Sequence, residues 1–72
     1  MDFIYVFVDE NNWEDMVIFL SKENAINESK KYPKARVEIF SITNKVGYTP
    51  TYNFYKNGEL ITPFYISNAD YL

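Results

Sequence analysis

The chain of 72 residues contains no cysteine and no histidine. These two absences exclude disulfide bonds, thiolate or imidazole metal sites, and the Cys–His and Ser–His–Asp systems of nucleophilic catalysis. Small secreted domains usually need disulfide bonds to be stable, so we expect a cytoplasmic or nuclear protein. Dense packing or oligomerisation must then supply the missing stability.

Neither charge nor hydrophobicity is concentrated enough to indicate a nucleic acid or a membrane as the main partner. The formal net charge is −3, whereas binding to a phosphate backbone needs a net basic face. The apolar run from Phe3 to Val8 is far shorter than the ~20 residues that span a bilayer. No basic stretch precedes it, as one would in a signal peptide. We therefore expect no membrane partner.

Aromatic side chains are the residues that the sequence has in excess, at 19% of the chain. They comprise seven tyrosines, six phenylalanines and Trp13. Large buried rings can build a core in a chain so short that it buries only roughly 60% of its unfolded surface. Tyrosine is also favoured at protein interfaces. The excess therefore indicates an aromatic core, an interface, or both.

The pattern of residues 15–42 predicts strand, short helix, strand. Ser21 is a typical N-cap, and Pro33 disfavours a helical conformation at Tyr32 and so ends the helix. A helix this short is not stable alone and must pack on a sheet. Right-handed crossovers place the two flanking strands parallel. The wholly apolar first strand is predicted to lie between them.

A hairpin is predicted around Asn57-Gly58, because both central positions of a type I′ turn need positive φ. Its two strands should extend the sheet beside the third strand, after a loop over 43–50. We therefore predict a single α+β domain, a mostly antiparallel β-β-α-β-β sheet with one helix packed on one face. The predicted strands cover about 3–8, 15–20, 35–42, 51–56 and 59–62, and the helix covers about 22–32.

The connection from Asp9 to Asp15 is the one segment with metal-ligand character, because its carboxylates and amides could bind a hard cation. It lacks the glycine and the spacing of an EF-hand loop. We interpret it as a solvated turn in which Trp13 folds back onto the core. Paired carboxylates can also serve glycoside hydrolysis, but a one-layer sheet with one helix seldom encloses a pocket. We predict no metal site, no cofactor, no catalytic residue and no enzymatic activity.

A second charged segment is basic and follows the helix. Four cations are candidates for phosphate contacts: Lys30, Lys31, Lys34 and Arg36. Tyr32 could stack on a base. Against this reading, the C-terminal end of a helix carries the negative end of its dipole, whereas anions bind at the N-terminal end.

An uncovered sheet face is the strongest candidate for function. By alternation, Val37 and Ile39 face the helix and Phe40 faces the other way. We predict that an aromatic sheet face is the partner interface, formed by Phe3, Tyr5, Phe7, Phe19 and Phe40. An apolar patch of that size is rarely left exposed in a monomer. The tail 64–72, a second copy of the chain or a different protein would cover it.

Two stretches carry a resemblance to other proteins. They are Tyr32-Pro33-Lys34-Ala35-Arg36-Val37-Glu38-Ile39-Phe40 and Tyr52-Asn53-Phe54-Tyr55-Lys56-Asn57-Gly58. With the order of elements, they resemble short uncharacterised proteins of large DNA viruses and phages over about residues 3–62. The resemblance implies a small accessory protein in the cytoplasm of an infected cell and supplies no site residues.

The sequence thus predicts a non-enzymatic protein–protein interaction module that acts through the aromatic sheet face, as a homodimer or with another protein. The alternative is a nucleic-acid or nucleotide binder that uses the basic cluster at 30–36.

Overall fold

The computed structural model describes residues 2–8, 13–42 and 46–63. This part of the chain forms one five-stranded antiparallel sheet with a single α-helix packed on one face, which confirms the predicted α+β class. The elements are β1 (Phe3–Val8), a 3₁₀ turn (Trp13–Asp15), β2 (Val17–Phe19), α1 (Lys22–Lys31), β3 (Arg36–Ile42), β4 (Tyr48–Lys56) and β5 (Glu59–Ile61). The chain order is β-β-α-β-β-β. Its five strands correspond to the five predicted ranges, although the predicted order β-β-α-β-β names one strand fewer.

The spatial order of the strands is β2-β1-β3-β4-β5. The position of β1 inside the sheet, between β2 and β3, agrees with its composition, since a strand that is apolar on both faces is favoured in the interior of a sheet, where both faces are covered. β1 pairs antiparallel with β2 and with β3. The strands before and after α1 are therefore parallel to each other, as the crossover argument predicts. The hairpin of β4 and β5 continues the sheet beside β3.

Local chemistry sets both ends of α1. The Ser21 hydroxyl accepts a hydrogen bond from the backbone amide of Asn24 at 3.3 Å, and this satisfies a donor that has no partner within the first turn. At the other end, the amide of Tyr32 donates to the Glu28 carbonyl oxygen at 3.2 Å. Pro33 then keeps Tyr32 out of the helical region. The helix ends at Lys31, one residue before the predicted end.

The hairpin turn has the predicted type I′ conformation, with φ of 51° at Asn57 and 82° at Gly58. A Cβ at this position would lie 2.7 Å from Cε of Lys30, so a larger residue here would also require the Lys30 side chain to move. The Gly58 amide donates to the Ser29 hydroxyl at 2.9 Å, and that hydroxyl donates to the Ile26 carbonyl oxygen at 2.7 Å. A fully buried serine thus ties α1 to the hairpin.

Strand β4 begins at Tyr48, so the predicted loop over 43–50 is wrong for its last three residues. Pro50 lies inside the strand, opposite Phe40. Proline is tolerated in a strand where its missing amide hydrogen leaves no ladder bond unmade. Among the described strands, β5 pairs only with Phe54 to Lys56. No described strand therefore pairs with this edge of β4 at Pro50.

The ladder between β3 and β4 contains a wide bulge. Glu38 pairs with Phe54 and Phe40 pairs with Pro50, so the three residues 51–53 of β4 stand opposite Ile39 alone. At its centre, Tyr52 has φ of 69°, which is unusual for a side chain this large. The Thr51 hydroxyl holds the bulge, donating to the Ile39 carbonyl oxygen at 2.8 Å and accepting from the Asn53 amide at 3.1 Å.

The hydrophobic core lies between α1 and the sheet. Its buried members are Tyr5, Phe7, Ala25, Ala35, Val37, Ile39 and Tyr55, with Phe19 and Ile26 packed against them. Small side chains on α1 let the helix approach the sheet closely, and the aromatic rings fill the remaining space. Phe7 also contacts Tyr32 edge to face, with ring centroids 5.5 Å apart.

The aromatic face of β1 is the face beneath the helix. Tyr5 lies opposite Ile39, and Phe7 lies opposite Val37. Directly opposed residues of an antiparallel pair project to the same side of the sheet. The predicted placement of the β1 aromatic residues on the uncovered face is therefore wrong. Alternation defines the two sets of side chains in a strand, but only the register with β3 decides which set meets the helix.

Candidate functional site

The structure separates the five residues predicted to form one partner interface. Tyr5 and Phe7 are buried in the core, and Phe19 packs against that core. Phe3 shares the helix side of β1 by alternation and is 45% exposed. Phe40 alone lies on the opposite side, paired with Ile4 and Pro50, and it is half-buried. The predicted aromatic interface does not exist as one surface.

The sheet side opposite α1, here called the second face, is partly polar. Pairing places on it Ile4, Val6, Val8, Ile18, Phe40 and Phe54. An ion pair crosses these side chains, with Arg36 Nε 2.8 Å from Glu38 Oε2. The Arg36 guanidinium also lies 5.3 Å from the centroid of the Phe54 ring, a cation–π contact. The second face is therefore less uniformly apolar than alternation alone predicts.

The outer edge of β2 carries the strongest concentration of exposed apolar side chains. The β2 edge comprises Trp13, Met16, Val17, Ile18 and Leu20, which are between 45% and 77% exposed. β2 stands at the end of the sheet and pairs with β1 alone among the described strands. The run from Met16 to Leu20 contains no charged residue and no proline. The uncharged run was a signal in the sequence for an exposed apolar strand. That this strand lies at the edge of the sheet follows only from the strand order.

The four cations predicted to contact phosphate do not form a single surface. Lys31 Nζ lies 3.5 Å from Glu28 on α1. Arg36 pairs with Glu38 on the second face, whereas the Lys30 side chain runs over Gly58. Within the described residues, Lys34 has no ion-pair partner. Two of the four charges are therefore neutralised locally, and they are divided between different sides of the protein.

Only the second part of the acidic connection from Asp9 to Asp15 belongs to the described residues. Asp9, Glu10, Asn11 and Asn12 lie outside the described residues. The 3₁₀ turn exposes Glu14, Asp15 and Trp13, and Trp13 is 77% exposed. The prediction that Trp13 folds back onto the core is therefore wrong. Across 2–8, 13–42 and 46–63, no three acidic side chains come close enough to hold a metal ion.

A cavity of about 310 Å³ opens beside the N-terminal half of α1, where the sequence predicted none. Its lining residues come from four strands and the helix: Phe3, Tyr5, Lys22, Ile39, Thr51, Asn53, Tyr55 and Leu60. The bulge contributes Thr51 and Asn53 to this wall. A proline inside a strand often accompanies a bulge, so Pro50 was the only sequence signal for it.

Two tyrosines dominate the cavity wall. Tyr5 is 8% exposed and Tyr55 is 6% exposed, with ring centroids 6.3 Å apart. No described residue forms a hydrogen bond with either hydroxyl, yet no side-chain oxygen in the described chain is both fully buried and unpaired. Each hydroxyl is therefore reachable by solvent. Burial raises the pKa of Tyr55, because removal from water disfavours the phenolate.

The raised pKa of Tyr55 predicts a loss of stability in alkali. A pKa that is higher in the folded state gives stability that is complete below about pH 10, the pKa of an unfolded tyrosine. This contribution is lost as the pH rises through the folded pKa. We expect Tyr55→Phe to reduce the alkaline loss, measured by urea unfolding at neutral and alkaline pH. Tyr32→Phe, which removes a hydroxyl from an exposed ring, is the control. An identical alkaline loss in Tyr55→Phe and the unmodified chain would contradict the assignment.

Membrane-spanning helices and similarity to known proteins give no further indication of a site. In the part of the chain that the structure describes, no helix is long and apolar enough to cross a bilayer. Compared with models of known protein families, with curated proteins and with solved structures, the chain has no significant match.

Proposed function

We propose that this protein is a non-enzymatic protein–protein interaction module, a small accessory protein that pairs with a second copy of itself through the β2 edge. The observation that carries the proposal is the set of apolar side chains along that edge strand and the turn before it, each at least 45% exposed. The proposed surface replaces the aromatic sheet face that the sequence suggested, because most of that face is core.

Edge strands present unpaired amides and carbonyls that accept another strand. Natural proteins protect such edges with lysine, proline, bulges or short strands. Within the described part of the chain, the protection of β2 is its short length of three residues. Strand addition would pair its backbone groups and bury the side chains of Ile18 and Leu20 from water.

A second copy suits this edge because the edge is complementary to itself. In antiparallel pairing about a twofold axis near Ile18, the start of each β2 meets the end of the other. The acidic 3₁₀ turn, with Glu14 and Asp15, then approaches the N-terminal end of the partner's α1. That end carries the positive pole of the helix dipole, so the contact is attractive.

Self-association is tested by measuring mass at micromolar concentration with light scattering. We expect about twice 8.6 kDa for the unmodified chain. Ile18→Lys should weaken association at least about tenfold, because two charges would meet at the twofold axis. Val46→Lys is the matched control, since it adds the same charge at a valine that is 89% exposed and lies outside β2.

A further variant separates the β2 edge from the middle of the second face, since Ile18 lies at the border of that face. Phe40→Asp places a charge on the second face, two strands away from β2. We expect it to leave the dimer intact. A monomeric unmodified chain would overturn the proposal, and a dimer that is lost in Phe40→Asp but kept in Ile18→Lys would transfer the interface to the second face.

Nucleic-acid or nucleotide binding by the 30–36 cluster is the alternative, and it has weaker support. Local carboxylates already pair with Lys31 and Arg36. Electrostatic binding is strongest at low salt. A shift in the mobility of labelled single-stranded oligonucleotides at low salt, lost in a Lys30→Gln, Lys34→Gln double variant, would favour this alternative over the protein interface.

We propose that the protein acts in the cytoplasm. This proposal also covers the cytoplasm or nucleus of an infected host cell. The support is the lack of cysteine in so short a domain, which is typical of proteins from reducing compartments.

A further inference from the structure

We infer that the cavity beside α1 is a binding site for a small aromatic molecule that carries one anionic group. This site is separate from the β2 edge, because none of the cavity's lining residues belongs to that edge. It would give the protein a small-molecule ligand in addition to a protein partner.

The size of the cavity sets the size of the ligand. Its volume is about 310 Å³. An apolar cavity of about 150 Å³ holds one benzene molecule, so this cavity accommodates roughly two fused rings with a short substituent. The rings would contact the apolar surfaces of Phe3, Ile39 and Leu60. Apolar walls with a few well-placed polar groups are the usual composition of a ligand site.

Two polar groups of the cavity, the hydroxyls of Tyr5 and Tyr55, are available to form hydrogen bonds with a ligand. Tyr5 and Tyr55 are more than nine-tenths buried, and their hydroxyls bond to no described residue. Buried tyrosine hydroxyls normally find a partner. Because solvent reaches both hydroxyls and both tyrosines line the same cavity, a ligand bound there would be able to form hydrogen bonds with them.

The charge of the ligand follows from Lys22. Among the described residues, it is the only charged one that lines the cavity, and it has no ion-pair partner there. Lys22 is also the first residue of α1, where the positive end of the helix dipole favours an anion. A carboxylate on the ligand would pair with Lys22 while its rings occupy the apolar wall.

The bulge fixes the wall of the cavity that β4 forms, opposite Lys22, in the absence of a ligand. The Thr51 hydroxyl is committed to the Ile39 carbonyl oxygen and the Asn53 amide. It therefore fixes the backbone that presents the Asn53 side chain to the cavity. Preformed walls reduce the ordering that binding would otherwise require.

The test is a titration of the full chain with naphthoate, followed by NMR spectra that correlate amide nitrogens and protons. Naphthalenemethanol is the neutral probe of matched size. We expect naphthoate to shift the amides of Lys22, Thr51 and Asn53 saturably, with a Kd of about 1 mM or below. Lys22→Gln should raise the Kd for naphthoate roughly three- to fivefold, and it should leave the Kd for naphthalenemethanol unchanged.

Matched variants decide between this site and its alternatives. Lys34→Gln removes an equal charge outside the cavity and should not alter naphthoate binding. Tyr55→Phe should weaken both probes about threefold through a lost hydrogen bond. Ile18→Lys should bind naphthoate normally, which keeps the result independent of dimer formation. The absence of saturable shifts, shifts confined to the β2 edge, or equal losses in Lys22→Gln and Lys34→Gln would overturn the inference.

Discussion

Replacing Val37 with aspartate is expected to leave the chain unfolded at room temperature. Val37 is 0% exposed and lies in β3 between β1 and β4, beneath α1. A buried carboxylate without a partner costs several kcal/mol, whether it stays charged or takes up a proton. A domain of this length has a total stability of only about 5 kcal/mol. The cost of one such charge therefore equals or exceeds the stability of the whole fold.

Circular dichroism and the dispersion of amide NMR signals measure this loss. Val37→Ala is the graded companion, and its cavity should lower the free energy of unfolding by about 2 kcal/mol while the fold persists. Val46→Asp introduces the same charge at an exposed valine and should change stability by less than about 0.5 kcal/mol. A folded Val37→Asp protein would show that β3 does not lie at the centre of the core.

Replacing Ser29 with alanine should lower the free energy of unfolding by about 2 kcal/mol, a large fraction of the total. The substitution removes one oxygen from a fully buried residue. It also leaves the Gly58 amide without its acceptor at the packed junction between α1 and the hairpin. An unmet buried donor costs more than the average net value of a hydrogen bond.

Urea unfolding of Ser29→Ala measures the effect, with Ser41→Ala as the control. Ser41 is half-buried and forms no side-chain hydrogen bond with a described residue, so the same deletion should cost less than about 0.5 kcal/mol there. Equal losses in the two variants would mean that the bond between Ser29 and Gly58 contributes nothing beyond the contacts of one oxygen atom.

Local features of the fold could be predicted because their causes lie within a few residues. Ser21 caps α1, Pro33 follows its end, and Asn57-Gly58 forms the type I′ turn, each through short-range sterics or hydrogen bonding. The order of the first three strands followed from the handedness of the crossover and the apolar character of β1. None of these features depends on knowing which distant residues are in contact.

The assignment of faces failed because it depends on contacts between distant residues. The sequence of β1 shows that Phe3, Tyr5 and Phe7 share one side. Only their register with Val37 and Ile39, thirty or more positions away, places that side beneath α1. Slipping the register by one residue would turn the same rings outward. The predicted interface is wrong for this reason, although the side chains of β1 alternate as predicted.

The cavity could not be predicted for a related reason. It depends on three residues of β4 bulging against one residue of β3, and on a positive φ at a tyrosine. Propensities for single residues argue against that conformation. The long-range hydrogen bond from the Thr51 hydroxyl to Ile39 helps to hold it, and sequence spacing does not reveal such a bond.

The hydrogen bond between Gly58 and Ser29 has a consequence for how the protein opens. It joins two segments 29 residues apart, each of which has strong local signals for its own structure. Without the bond, the hairpin could peel away while α1 stayed docked. With it, opening the hairpin breaks the hydrogen bond that the Gly58 amide donates to the Ser29 hydroxyl, so the two segments open as one cooperative unit.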